Sequence, residues 1–285
     1  MNVEGNDKFS QLLMEFGLRT RSIPVLLMYS GEAIMDEGDV DAFYFVLNVT
    51  LEAYNEFIKE MSKELKGKKE NKGTPFDINE LKLSLNSISL ILHSRGGRIE
   101  PAYQMAKIIR SMFKHYNVFI PRKAKSAATL LALAADEIYL TKIGELGPID
   151  PIVSHPYSPD LMIPARAVKD FIEQTLPALI KNYGPAVADY LLKIDYAHVG
   201  FCIQSTNSAK EYASRILVNY GLKGLKKKEE RIRKAEKIIK ILMSYPVHDF
   251  VIDYEEAKKI GLNVNLVENE LEKLLWTIYS RNTKE

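Results

Sequence analysis

The sequence predicts an α/β fold with a parallel or mixed sheet and crossover helices. Two patterns carry this expectation. Between Ser87 and Leu140, apolar strand-like runs alternate with helix-forming runs in the order strand, helix, strand, helix, strand. The run Ser87 to Leu92, rich in β-branched and large aliphatic residues, also leads directly to Gly96-Gly97, as a buried strand would. A hydrophobic fraction of 46% over 285 residues supplies a full core without a metal or disulfide staple. One domain over residues 1–285 is expected, with a helical insertion or arm at about 164–245.

From the N-terminus, Phe9 to Phe16 reads as a short helix and Ile23 to Tyr29 as the first strand. Asp39 caps an apolar-periodic stretch that continues to Leu65 with a break near Thr50. Lys66 to Gly73 is a charged, glycine-punctuated loop. After the Ser87–Leu92 strand, a helix places Ala102, Met105, Ala106, Ile109 and Met112 on one face, with Pro101 in its first turn. Val118 to Pro121 is a short strand, Ala127 to Ala135 a helix of small and aliphatic residues, and Glu137 to Leu140 another strand. Beyond Pro164 helices dominate: Ala165–Tyr183 interrupted near Pro177, one or two over 185–220, and Lys226–Met243. The chain closes with His248–Asp253, a helix to Ile260 ended by Gly261, a strand over Asn263–Val267 and an amphipathic helix to Ser280.

Two places in this order suit chemistry. Gly96-Gly97 carries no side chains where a strand stops, so backbone N–H groups there can approach a ligand. Ser126 stands at the junction of a strand and an alanine-rich helix, where the first N–H groups lack intrahelical partners. A serine hydroxyl, the N–H of Ala127 and an N–H from Gly96 or Gly97 are the minimum for acyl transfer: a nucleophile and two donors for an oxyanion. Each also has a plainer role, Ser126 as a helix N-cap and the glycines as a turn.

Composition narrows the remaining classes. A net charge of +2 gives no reason to expect nucleic acid as a partner. The basic segment Lys223–Lys240 lacks the aromatic interleaving of single-strand binders and reads as a helix with a solvated basic face. The same face leaves docking to an anionic surface, and so peripheral membrane contact, as its sharper alternative. The five histidines are scattered without ligand spacing, so no metal is expected, and no cofactor motif or P-loop is present. Cys202 is the only cysteine, which fits a reducing, cytoplasmic setting. No transmembrane segment or signal peptide is expected, because the apolar runs are short and the N-terminus lacks a basic region before an apolar core.

Several motifs together resemble a known family. Leu92-His-Ser-Arg-Gly-Gly97, Ala124-Lys-Ser-Ala127, Leu131 to Ile138, Glu145-Leu-Gly-Pro-Ile-Asp-Pro151 and His248-Asp-Phe-Val-Ile252 are similar to the serine dehydrogenase proteinase family, within the Clp-protease, signal-peptide-peptidase and crotonase superfamily. The resemblance runs from about Pro24 to Val267. It implies a Clp-protease/crotonase-like spiral of β-β-α units, a Ser126 nucleophile, peptide or protein substrates, ATP-independent hydrolysis and a homo-oligomer. Two positions depart from the family pattern: Arg95 stands where proline is usual, and Ala128 where glycine is usual, adding a methyl beside the expected site.

A serine hydroxyl needs a base. His248, in the family-like stretch, ranks first, with Asp249 or Asp253 to orient it. Lys169 ranks second, at a Ser–Lys spacing similar to that of some membrane-linked relatives, and His155 follows. Lys125 is expected to point away or to tune the local field. The leading expectation is thus a soluble serine peptidase. A crotonase-like acyl-thioester enzyme and a catalytically silent scaffold are the alternatives, the latter motivated by Arg95 and Ala128.

Overall fold

The computed structural model describes residues 3–30, 33–66, 85–187 and 195–283. The expected charged loop at 66–73 lies, from residue 67 on, outside the described residues. The main sheet is parallel throughout, in the order β1 (Ile23–Met28), β2 (Ser87–His93), β3 (His115–Ile120), β5 (Glu137–Leu140) and β9 (Val264–Leu266). Helices cover both faces, so both side-chain sets of a strand are buried, and β2 is buried without a break from Ile88 to Leu92. Ile88, Leu90 and Leu92 enter one core layer with α2 (Glu37–Lys66) and α3 (Ile99–Met112). Ile91 enters the other, against α1 (Val3–Thr20) and α10 (Asn269–Asn282). There the Phe16 ring meets Phe119 edge-on at 4.9 Å, and Phe119 stacks on Tyr139 at 4.5 Å.

A second row of short pairings runs beside the ends of these strands. Met35 bridges Gly97, Ser94 bridges Ala124, β4 (Lys123–Ala124) pairs with β6 (Glu145–Leu146), and Leu146 bridges Ile252. Each chain turn therefore reads long strand, short strand, helix: β1, Met35, α2; β2, Ser94–Gly97, α3; β3, β4, then α4 (Ala127–Ala132). This is the β-β-α spiral implied by the resemblance. The short row matters for function because it aligns the segments after β2, β3 and β5 side by side.

Between β6 and Ile252 come an antiparallel hairpin, β7 (Ile152–His155) and β8 (Ser158–Pro164), and further helices. α5 (Ala165–Asp170) passes through a π turn at Phe171–Thr175 into α6 (Leu176–Tyr183). The interruption precedes Pro177, which occupies the second position of α6, because the wider turn absorbs the hydrogen bond that proline cannot donate. α7 (Tyr196–Ile216) and α8 (Lys228–Leu242) follow, then α9 (Tyr254–Ile260), ended by Gly261 at φ 96°. α8 sinks Ala235, Ile238, Ile239 and Leu242 into the core and leaves its charges outward.

Several sequence expectations need correction. α2 is unbroken through Thr50, since a single threonine costs a helix little when one face packs against the core. The hairpin β7–β8 carries no alternating pattern strong enough to read as strands. The third strand begins at His115, because backbone pairing with Ser87–Ser89 of β2 extends it ahead of the apolar run. Within the expected helical span of 185–220, of which residues 188–194 lie outside the described residues, α7 starts at Tyr196, where Asp195 caps it by accepting from the N–H of His198 at 3.0 Å.

Candidate active site

Ser126 does not behave as an N-cap. Its backbone sits at φ 50°, ψ −117°, a conformation that residues with a Cβ rarely adopt, and its side chain makes no capping bond. The hydroxyl has no hydrogen-bond partner among the described residues, and the residue is half-buried. β3 and β4 run into this turn and α4 leaves it, so the serine stands on a sharp strand-to-helix bend. Such bends present a nucleophile clear of its own backbone in unrelated hydrolase folds. Thr129 fixes the bend from behind: its hydroxyl donates to Ala124 O at 2.7 Å and accepts from the Gly147 N–H at 3.0 Å.

Gly96 is pressed against this bend. A Cβ added at Gly96 would lie 2.8 Å from Ser126 Cβ, 2.9 Å from Lys125 O and 3.3 Å from Ala127 N, and its φ is 110°. Only glycine permits that approach. The Gly96 N–H is spent on Ser94 Oγ at 3.0 Å, and the Gly96 carbonyl accepts from the Met35 N–H at 2.9 Å. The Gly97 N–H and the Ala127 N–H, in contrast, meet no acceptor among the described residues. Of the three expected oxyanion donors, two are therefore unspent and Gly96 is the wall against which the serine packs. α4 is a single short helix, so its dipole adds little and the N–H groups themselves matter more. Ala128 is fully buried in the core, and its N–H bonds Lys125 O at 2.8 Å. The extra methyl thus fills core space.

The short row brings the later motifs alongside. Leu146 and Ile252 exchange backbone bonds at 2.9 and 3.1 Å, which lays His248–Ile252 against Glu145–Asp150. His248 Nδ1 lies 3.2 Å from Asp150 Oδ1, with the carboxylate almost fully buried. The other ring nitrogen of His248 is left for a different partner. Asp150 is the residue sequence reasoning missed. The signal is its place in Leu146-Gly-Pro-Ile-Asp150, which reads as a motif and gives no hint of where its side chain points. Of the expected orienters, Asp253 instead caps α9 by accepting from the Glu256 N–H at 2.9 Å, and Asp249 is exposed. Among the described residues no hydrogen bond links His248 to Ser126.

Lys169 lies on α5, its ammonium 3.9 Å from Glu173 Oε1, with no bond to Ser126. His155 ends β7 and accepts from the Tyr157 N–H at 3.2 Å. Lys125 points inward: burial pushes its ammonium pKa down, against the opposing pull of Glu145. Half-buried His93 accepts from the Lys123 N–H at 3.3 Å, and burial, with Lys123 and Arg122 nearby, lowers its pKa to about 4. Among the described residues no cluster of His, Cys, Asp and Glu could hold a metal, and no helix is long and apolar enough to cross a membrane.

Comparison with known proteins bears on the same stretch. The family model of ClpP-like SDH-type serine proteinases matches residues 50–180. The uncharacterized protein MJ0137 of Methanocaldococcus jannaschii is 30% identical over 199 residues, 70% of this chain and 60% of that protein. MJ1495 of the same organism is 28% identical over 189 residues, 62% of this chain and 52% of that protein. The chain thus spans only about half to three-fifths of the length of these relatives. Among solved structures, a mutant of the 1510-N membrane-bound stomatin-specific protease aligns at TM-score 0.42 and 13% identity, covering 88% of this chain and 83% of that one. ClpP1 from Listeria monocytogenes aligns at TM-score 0.40 and 12% identity, covering 90% and 97%. Across residues 50–180, the stretch that carries Gly96-Gly97, Ser126 and Asp150, the chain matches the family of ClpP-like SDH-type serine proteinases, the kinship its motifs indicate.

Proposed function

We propose that the chain is a serine peptidase in which Ser126 is the nucleophile, the N–H groups of Gly97 and Ala127 receive the oxyanion, and His248, oriented by Asp150, is the base. Ser126 Oγ attacks the scissile carbonyl carbon while His248 takes the hydroxyl proton. The carbonyl π pair moves to oxygen, and the two N–H groups meet the resulting negative charge. Collapse expels the amine, which carries away the proton from His248. A water activated by the same imidazole then hydrolyses the acyl-enzyme. Asp150 holds the Nδ1 side of the ring and stabilises the imidazolium.

The observation that carries this reading is the φ of 50° at Ser126 with an unspent hydroxyl. Backbone strain of this kind costs about 1–3 kcal/mol and persists where the surroundings enforce it. The contact of Gly96 with Ser126 and the Asp150–His248 pair support the same reading. The buried carboxylate favours His248 over Lys169 as the base. A homo-oligomer belongs to the proposal, supported by exposed Phe45 and Val49 on α2; sedimentation showing only monomer would remove that part.

An alkyl fluorophosphonate tests the whole. Covalent labelling at Ser126 that disappears in Ser126→Ala is the expected result. Absence of labelling overturns it; acyl-CoA binding in calorimetry would then point to thioester chemistry, and neither result to a silent scaffold.

A further inference from the structure

Lys125 has no part in the mechanism above, yet it is among the few charged residues buried in this core, with 6% of its surface exposed. Its ammonium donates to Leu146 O at 3.1 Å and to Phe250 O at 3.0 Å, and lies 3.4 Å from Glu145 Oε1. Two carbonyls accept from the ammonium and Glu145 balances its charge, so it is committed to structure and unsuited to shuttle a proton. Its acceptors sit on the two segments that matter: Leu146, which ends β6, is four residues before Asp150, and Phe250 is two after His248. Lys125 itself immediately precedes Ser126. The aliphatic stem runs beneath Gly147, where an added Cβ would come within 2.6 Å of Lys125 Cδ and 3.3 Å of Lys125 Cα. Phe250 O is met by this lysine, and Glu145 is nearly buried beside it with Arg122 at 3.7 Å as its other cation.

We propose that Lys125 is a positioning residue: its buried ammonium clamps the segments that carry Asp150 and His248 to the bend that carries Ser126, and Gly147 is glycine because the lysine stem occupies the space of a side chain. A hydrogen-bonded ammonium is directional where an apolar side chain would slip, so it fixes the lateral offset of the two segments. The idea rests on the roles proposed for Ser126, His248 and Asp150.

The test compares the wild type with Lys125→Met, which keeps the stem and removes the charge, and with Gly147→Ala, which keeps the charge and crowds the stem. Two readouts are taken: the fluorophosphonate labelling rate, and the ¹⁵N resonances of His248, which report whether Nδ1 is held by Asp150. Both variants are expected to label at least tenfold more slowly. Both should also lose the Asp150-bonded His248 signature while circular dichroism still reports a folded chain. Lys125→Met that keeps the His248 resonances and the labelling rate overturns the proposal. If Lys125→Met does not fold, Gly147→Ala decides by the same two readings. If the wild type itself is not labelled, the peptidase reading fails and the His248 resonances alone decide the clamp.

Discussion

Replacing Ser126 by glycine separates the cost of the bend from the chemistry it serves. A φ of 50° with ψ −117° is open to glycine and strained for serine, by about 1–3 kcal/mol. The serine hydroxyl has no partner among the described residues, so its loss removes no bond there. Against the relief stands the added freedom of glycine in the unfolded chain, about 0.5–1 kcal/mol. Ser126→Gly should therefore be ~0–2 kcal/mol more stable than the wild type. Ser126→Ala keeps the Cβ and its strain and should stay within about 0.5 kcal/mol of it. At ~2–4 °C per kcal/mol for a chain of this size, calorimetry resolves the pair. Both variants lose fluorophosphonate labelling. A Ser126→Gly protein that melts below Ser126→Ala by more than about a degree would refute the strain reasoning, and with it the main support for a presented nucleophile.

Four further outcomes are expected. Gly96→Ala drives a methyl to 2.8 Å from Ser126 Cβ at a φ of 110°, and should abolish labelling with a loss of about 2–5 kcal/mol in urea unfolding. Gly200→Ala, in α7 with nothing near the added methyl, should gain about 0.5–1 kcal/mol in the same assay. Asp150→Asn leaves His248 without its carboxylate, and labelling should slow by about 10²–10⁴-fold while the far-ultraviolet dichroism stays unchanged. Burial, with Lys123 and Arg122 nearby, lowers the His93 pKa in the fold to about 4, from an ordinary 6.5. Its folded pKa is depressed, so its contribution is complete above pH 6.5, declines as pH falls towards 4 and is level below. Full burial would make this about 3 kcal/mol; for a half-buried ring ~1–2 is expected. His93→Gln should flatten the stability profile over that window, and an unchanged slope in urea titrations at about pH 7 and pH 4.5 would count against it.

Local pattern was enough to read β1, β2, β5, α3, α9 and the helix-ending Gly261, because strand and helix periods and glycine placement are written within a few neighbouring residues. Local pattern also marked Ser126 and the glycine pair as a place for chemistry. It could not tell a capping serine from a presented one, since that difference lies in a backbone angle at a bend packed against Gly96, 30 positions away. Nor could it join Asp150 to His248 or Lys125 to Phe250, 98 and 125 positions apart. Those pairings arise from the short second row of strands, which exists only once the spiral has brought successive turns side by side. The residue types for the site were set by sequence; which hydroxyl stands free, which amides stay unspent and which carboxylate faces the imidazole were decided by tertiary contact, because each depends on partners that no local window contains.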